Sequence, residues 1–160
     1  MLQNKSALTF IMVGDAYPGN EYLYDELNAK LETLGLKSHF INLGYREDII
    51  AILNTLDLFI LPSTAPDPFP TVILEAMSCQ KTVIATAQGG ALEMIEHQVS
   101  GIHIPPDNAQ EAAKIIFPYL SDKKIRRAMG QVAQQKVNAD FSLVSFEKNI
   151  MQLLTVIHER

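Results

Sequence analysis

With 160 residues, 48% of them hydrophobic, the chain is long enough to bury one substantial core and too apolar to be a disordered segment. Its apolar runs fall far short of the roughly 20 residues of a membrane-spanning helix, and residues 1–6 show no apolar stretch with a small-residue cleavage site, so the expected location is the cytoplasm. A net charge of −5 argues against general attraction to nucleic acid, while the single cysteine, Cys79, excludes an internal disulfide and reads as a small core residue.

Residues 10–13 form a short apolar run closed by Gly14, which predicts a strand, and the stretch 19–35 carries Leu23, Leu27, Leu31 and Leu34 at helical spacing. Gly35 is placed to stop that helix, and residues 39–43 supply a second strand ending at Gly44. Ile49, Ile50, Leu53 and Leu56 suit an amphipathic helix; the continuous apolar run 58–61, between Asp57 and Pro62, fits a strand buried on both faces. Pro70 sets Phe69 extended, after which residues 71–78 read as a helix and 82–85 as a strand. A Gly89-Gly90 turn, a short helix over 91–96 and a last strand over 101–104 follow, stopped by Pro105 and Pro106. Three C-terminal helices are marked by Ala112, Ile115 and Ile116, by Ile125, Met129, Val132 and Ala133, and by Phe146, Ile150, Leu153 and Ile157. Five strands alternating with helices predict a parallel sheet, because parallel neighbours need crossovers. The expected fold is a doubly wound, Rossmann-like α/β layer with C-terminal helices, one domain over residues 1–160.

In such sheets ligands sit beyond the carboxyl ends of the strands, and the loop after the third strand is unusual. Residues 62–70 hold four prolines, which restrict the backbone before any ligand arrives. The loop feeds a helix start at Thr71, where N–H groups lack intrahelical partners and the dipole end is positive, which makes an anion site suited to a diphosphate. Glu75, one turn on, could accept hydrogen bonds from vicinal hydroxyls such as those of ribose, and Asp67 from those of a sugar. Both have plainer readings: Asp67 as the anchor of a proline-rich turn, Glu75 as a solvated carboxylate favoured near a helix N-terminus.

The stretch Pro62-Ser63, Asp67-Pro68-Phe69-Pro70-Thr71-Val72-Ile73-Leu74-Glu75-Ala76-Met77 resembles the signature of family 4 of the GT-B glycosyltransferases, two acidic residues separated by seven others. Val13-Gly14-Asp15, Leu43-Gly44, Leu56-Asp57, Lys81 through Thr86, Gly89-Gly90, Glu93, Gly101 and Pro105-Pro106 fall in the order typical of the C-terminal, donor-binding domain of that family. The resemblance implies one half of a GT-B architecture that binds a UDP- or GDP-sugar and, in the intact enzyme, transfers the sugar with retention to an acceptor in polysaccharide or glycolipid biosynthesis. Asp67 is then expected to orient the donor sugar, Glu75 to bind ribose, the amides near Thr71 and Val72 to meet the diphosphate, and Gly44, Tyr45 and Arg46, with Ser63 bordering the cleft, to lie at the nucleobase. No metal or other cofactor is called for. The Asp-Pro-Phe-Pro-Thr form is similar to a subset associated with bacterial surface polysaccharide, such as lipopolysaccharide and capsule, with the intact enzyme peripheral at the inner face of the membrane.

Three departures from the pattern stand out. Asp67 replaces the usual glutamate, Pro70 replaces a common glycine and so cannot donate an N–H, and Gln80 stands at a helix end where glycine is frequent. The acceptor-binding N-terminal domain and the first strand-helix unit, with its diphosphate-clamping basic residues, have no counterpart here, so donor binding with little or no transfer is expected of the 160 residues by themselves. Gly14 through Gly19 has the glycine spacing of a phosphate loop, but Asn20 and Glu21 stand where lysine and serine or threonine are needed. His39, His97, His103 and His158 lack metal-ligand spacing, and Lys123, Lys124, Arg126 and Arg127 read as a solvated helical face ahead of a lipid contact. Competing functions are a non-catalytic sugar-nucleotide module and half of a sugar-nucleotide epimerase.

Overall fold

A computed structural model describes residues 8–158; the reading of residues 1–6 as lacking a secretory signal lies outside them. The chain divides into two compact units, the first ending at Ile49 and the second beginning at Ile50.

In the first unit β1 (Phe10–Met12) pairs in parallel with β2 (Phe40–Asn42), Phe10 opposite Phe40 and Met12 opposite Asn42. The crossover is α1 (Tyr22–Thr33) and a single 3-10 turn, Lys37–His39. Gly35 ends α1 as the sequence predicts, at φ +63°: its N–H donates to Glu32 O at 3.0 Å and that of Leu36 to Leu31 O at 2.8 Å, a paired closure that needs a left-handed residue between them. No described side chain of this unit is buried.

The second unit holds α2 (Ile49–Thr55, which begins at the division), β3 (Phe59–Leu61), α3 (Thr71–Ser78), β4 (Val83–Thr86), α4 (Ala91–Met94), β5 (Gly101–Ile104), α5 (Ala109–Ser121), α6 (Lys123–Asp140) and α7 (Leu143–His158). Its three strands pair in parallel in the order β3-β4-β5, with Phe59 opposite Val83 and Val83 opposite Gly101. The mixed α/β fold class and the parallel pairing are therefore as expected, but the strands form a two-stranded and a three-stranded ladder, where a single sheet was anticipated. The central strand β4 is wholly buried; β3, expected to be buried on both faces, is half-buried because it is the outer strand of its ladder. Ile84, Ile102, Ile104, Ala112 and Met129 make the core, against which Leu58, Ile60, Ile115 and Tyr119 pack.

The C-terminal helices follow their sequence signals unevenly. Asn108 caps α5 by accepting from Glu111 N at 3.0 Å, and Asp122 caps α6 by accepting from the N–H groups of Lys124 and Ile125, both at 2.9 Å. On α6, Met129 and Ala133 are buried, whereas Ile125 and Val132 face water. None of the apolar residues that mark α7 is buried. No described helix is long and apolar enough to cross a membrane.

Candidate functional site

The proline-rich loop leaves the carboxyl end of β3 and is braced from below by the turn after β4. The Gly90 N–H donates to Asp67 O at 2.8 Å, and Gln88 Nε2 donates to Ser63 O at 2.7 Å. A Cβ at Gly89 would lie 2.3 Å from Asp67 O, and one at Gly90 2.3 Å from Pro68 O. The two glycines of this turn are thus required by another stretch of backbone. Asp67 closes the loop on itself: its Oδ1 accepts from the Phe69 N–H at 2.9 Å. The turn-anchor reading of Asp67 therefore holds for one carboxylate oxygen. Phe69 then leans on Phe141, with ring centroids 6.4 Å apart.

Helix α3 starts from Pro70, which is buried and carries no side-chain cap; its carbonyl accepts from Ile73 N at 3.0 Å. Among the described residues the N–H groups of Thr71 and Val72 have no partner, and both residues are exposed. Pro70 at the cap delivers the chain to α3 with φ −70°. Ile73, Ala76 and Met77 bury the inner face of α3, which turns half-buried Glu75 to the side one helical turn from Thr71. A carboxylate, two free amides and a second carboxylate in the adjoining loop are therefore carried by one rigid strand-loop-helix segment, together with half-buried Ser63.

Gly44, Tyr45 and Arg46 belong to the first unit. Gly44, at φ +62°, donates its N–H to Asn42 Oδ1 at 2.9 Å and accepts from Gly14 N at 2.9 Å. Tyr45 is 72% exposed, and with Arg46, Glu47 and Asp48 it lines a depression of about 410 Å³. Arg46 makes a two-pronged pair with Asp48, Nε and Nη2 each at 2.7 Å, and this hydrogen bonding holds the Asp48 carboxyl below its ordinary value. The glycine-spaced loop 14–19 carries its own acids on its amides: Ala16 N donates to Asp15 Oδ1 at 3.0 Å and Gly19 N to Glu21 Oε1 at 3.1 Å. Tyr24 donates its hydroxyl to the same Asp15 oxygen, which raises the phenol's pKa.

Sequence reading missed Gln88, Gly130 and Phe141. Gly130 had a usable signal, since glycine inside a helix of good formers needs a packing reason. Cys79, read as a small core residue, is instead half-buried at the end of α3, and burial is the main cause that pushes its thiol pKa up. His97 and His103 stack at 5.6 Å, and no group of three or more His, Cys, Asp or Glu side chains suited to a metal ion occurs among the described residues.

The family model described as glycosyl transferases group 1 matches residues 1–136. The crystal structure of Anabaena Alr3699/HepE in complex with UDP is similar at a TM-score of 0.87 and 37% identity, over 93% of this chain and 41% of that one. The C-terminal domain of a glycosyl transferase group 1 family protein (LpcC) from Francisella tularensis is similar at a TM-score of 0.79 and 26% identity, over 89% of this chain and 74% of that one. N,N'-diacetylbacillosaminyl-diphospho-undecaprenol alpha-1,3-N-acetylgalactosaminyltransferase of Campylobacter jejuni is 33% identical over 93 residues, 58% of this chain and 24% of that protein. The chain spans well under half the length of the curated relatives it matches.

Proposed function

Because the chain belongs to the glycosyl transferases group 1 family, we propose that it is the donor-binding domain of a retaining, GT-B-type hexosyltransferase that uses a UDP- or GDP-sugar. The observation that carries this reading is the uncapped start of α3 behind a loop fixed at both ends, in a chain 37% identical to a protein solved with UDP and with UDP-glucose. The diphosphate takes the Thr71 and Val72 N–H groups, whose partial positive charge also stabilises the departing nucleoside diphosphate as the bond from the anomeric carbon to the phosphate oxygen breaks. The acceptor oxygen then bonds to that carbon on the same face, its proton passing to the departing diphosphate oxygen, giving retention.

Glu75 holds the ribose hydroxyls. Asp67, with Oδ1 committed to Phe69, turns its second oxygen to the donor sugar. Ser63 borders the cleft. No metal is needed in this scheme, since amides and dipole carry the charge. Residues 1–160 act as one donor-binding domain, and the acceptor, a glycan or glycolipid of bacterial surface polysaccharide, is bound elsewhere in the intact enzyme, at the cytoplasmic face of a membrane.

Calorimetric titration of the chain with UDP and with GDP tests the reading. One of the two is expected to bind between micromolar and millimolar, and Glu75→Ala to weaken it by about ten-fold through the loss of charge-assisted bonds to ribose. Failure of both nucleotides to bind at millimolar concentration removes the donor-site reading.

A further inference from the structure

At the amino ends of β3 and β4, the edge of the sheet opposite the proline-rich loop, the second unit has a depression of about 320 Å³. Lys81, Lys123, Arg126 and Arg127 line it, and Asp57 is the one acid among its lining residues. Four cations on one depression of a chain with net charge −5 is a marked local inversion.

Two of the four have structural duties. Arg126 closes the end of α5, donating through Nη1 to Tyr119 O and Leu120 O at 2.8 Å, and pairs through Nη2 with Asp57 at 2.9 Å. Lys81 closes the end of α2, donating to Asn54 O at 3.2 Å and Leu56 O at 3.1 Å. Carbonyl oxygens satisfy the ammonium's hydrogen bonds but leave its charge uncompensated. Asp57 pairs with Arg126, and the Asp122 carboxylate, which caps α6 beside Lys123, keeps its negative charge because the amides it accepts from are neutral. Lys123 and Arg127 are exposed and make no hydrogen bond or ion pair among the described residues. Four positive charges therefore meet two negative ones, Asp57 and Asp122, which leaves a local excess of two cations in a concave site whose low-dielectric walls focus their field.

We propose that this depression binds a phosphate group, with Lys123 and Arg127 as its principal ligands and Lys81 supplying background charge. A guanidinium fork beside a mobile ammonium matches a tetrahedral oxyanion, whose two or three acceptor oxygens can be shared between them. The phosphate comes from a soluble phosphate compound or from a lipid headgroup, and the same residues serve either. The site is independent of the donor reading, because α3 presents its N-terminus to the proline-rich loop while Gln80, beyond its other end, lines this depression, with about 12 Å of helix, eight residues, between them.

Amide NMR of the labelled 160-residue chain, titrated with inorganic phosphate at constant ionic strength, tests the proposal. Saturable shifts are expected at Thr82, Lys123 and Arg127, and the doubly substituted Lys123→Ala/Arg127→Ala chain is expected to bind about ten-fold more weakly. Both residues are exposed, so the variant keeps its fold, which its amide spectrum away from the depression reports separately. Sedimentation with equimolar phosphatidylcholine–phosphatidylglycerol vesicles separates the sources. Retention that the double variant loses supports a lipid headgroup; saturable phosphate binding without retention supports a soluble phosphate. Shifts that chloride reproduces, or that stay confined to Thr71 and Val72, together with no variant-sensitive retention, overturn it.

Discussion

Gly130→Ala is expected to destabilise the chain by about 2 kcal/mol, although alanine is the better helix former. Gly130 lies inside α6, and an added Cβ would stand 2.0 Å from Gln80 O and 2.7 Å from its carbonyl carbon. Carbon and oxygen ordinarily approach no closer than about 3.3 Å, so α6 must withdraw from the end of α3 by more than an ångström. Overpacking of that kind costs about 3 kcal/mol, against the roughly 1 kcal/mol that alanine contributes to an exposed helix. The sign is thus diagnostic. Urea or thermal unfolding should show a lower midpoint, by roughly 4–8 °C in the thermal case; a rise would mean that α6 is not pressed against α3. Gln80→Gly should fail to rescue the variant, because the obstacle is the carbonyl oxygen and not the side chain.

Gly90→Ala separates the placement of the proline-rich loop from the stability of the whole. Gly90 has φ −63°, a backbone that alanine adopts without strain, so the entire effect comes from its Cβ, 2.3 Å from Pro68 O and 3.1 Å from Pro70 Cδ. The loop is the part that yields, since β4 behind the turn is wholly buried. A loss of about 1–3 kcal/mol in stability is expected. Nucleotide affinity should fall in addition by about ten-fold, because the start of α3 and the Asp67 carboxylate move with the loop. Calorimetry with UDP or GDP, whichever the unaltered chain binds, reads the second effect. Unchanged affinity in a destabilised variant would show that the loop does not place the donor contacts.

The residues that made α3 legible in sequence are the ones that delimit it physically: Pro70 forbids an earlier start, and the chain reverses at Gln80. The span Thr71–Ser78 accordingly agrees residue for residue, as does β5, which runs from Gly101 to Ile104 ahead of Pro105. The ends of β2 and β4 shifted by one residue each. Ladder membership was not legible, because an apolar run such as 58–61 records burial of the run and not which strand lies beside it.

Gln80 was read as a helix-end variation, and it is one. At φ +56° it takes the left-handed position, its N–H donates to Met77 O at 2.9 Å, and that of Lys81 donates to Ala76 O at 3.0 Å. Its strain is offset by a tie that no local pattern could show: Gln80 Nε2 donates to Gln134 Oε1 at 2.9 Å, and Gln134 Nε2 donates to Ser78 O at 2.8 Å. Of the candidate site, the loop and the helix start were legible because they are contiguous in sequence. The supports at Gln88 and Phe141 were not, since they are brought in by the strand and helix packing, and Gly90 was legible as a turn but not as a brace for the loop.

Helix α7 has solvent for a neighbour along most of its length: Leu143 is 71% exposed, Val144 74% and Met151 63%. With no side chain buried, its conformation rests mainly on its own cooperative hydrogen bonds, which for 16 residues is a marginal hold. Strand β4, in the same unit, can open only if the core opens with it. Amides of α7 are therefore expected to open at lower free energy than those of β4 and to exchange their hydrogens sooner.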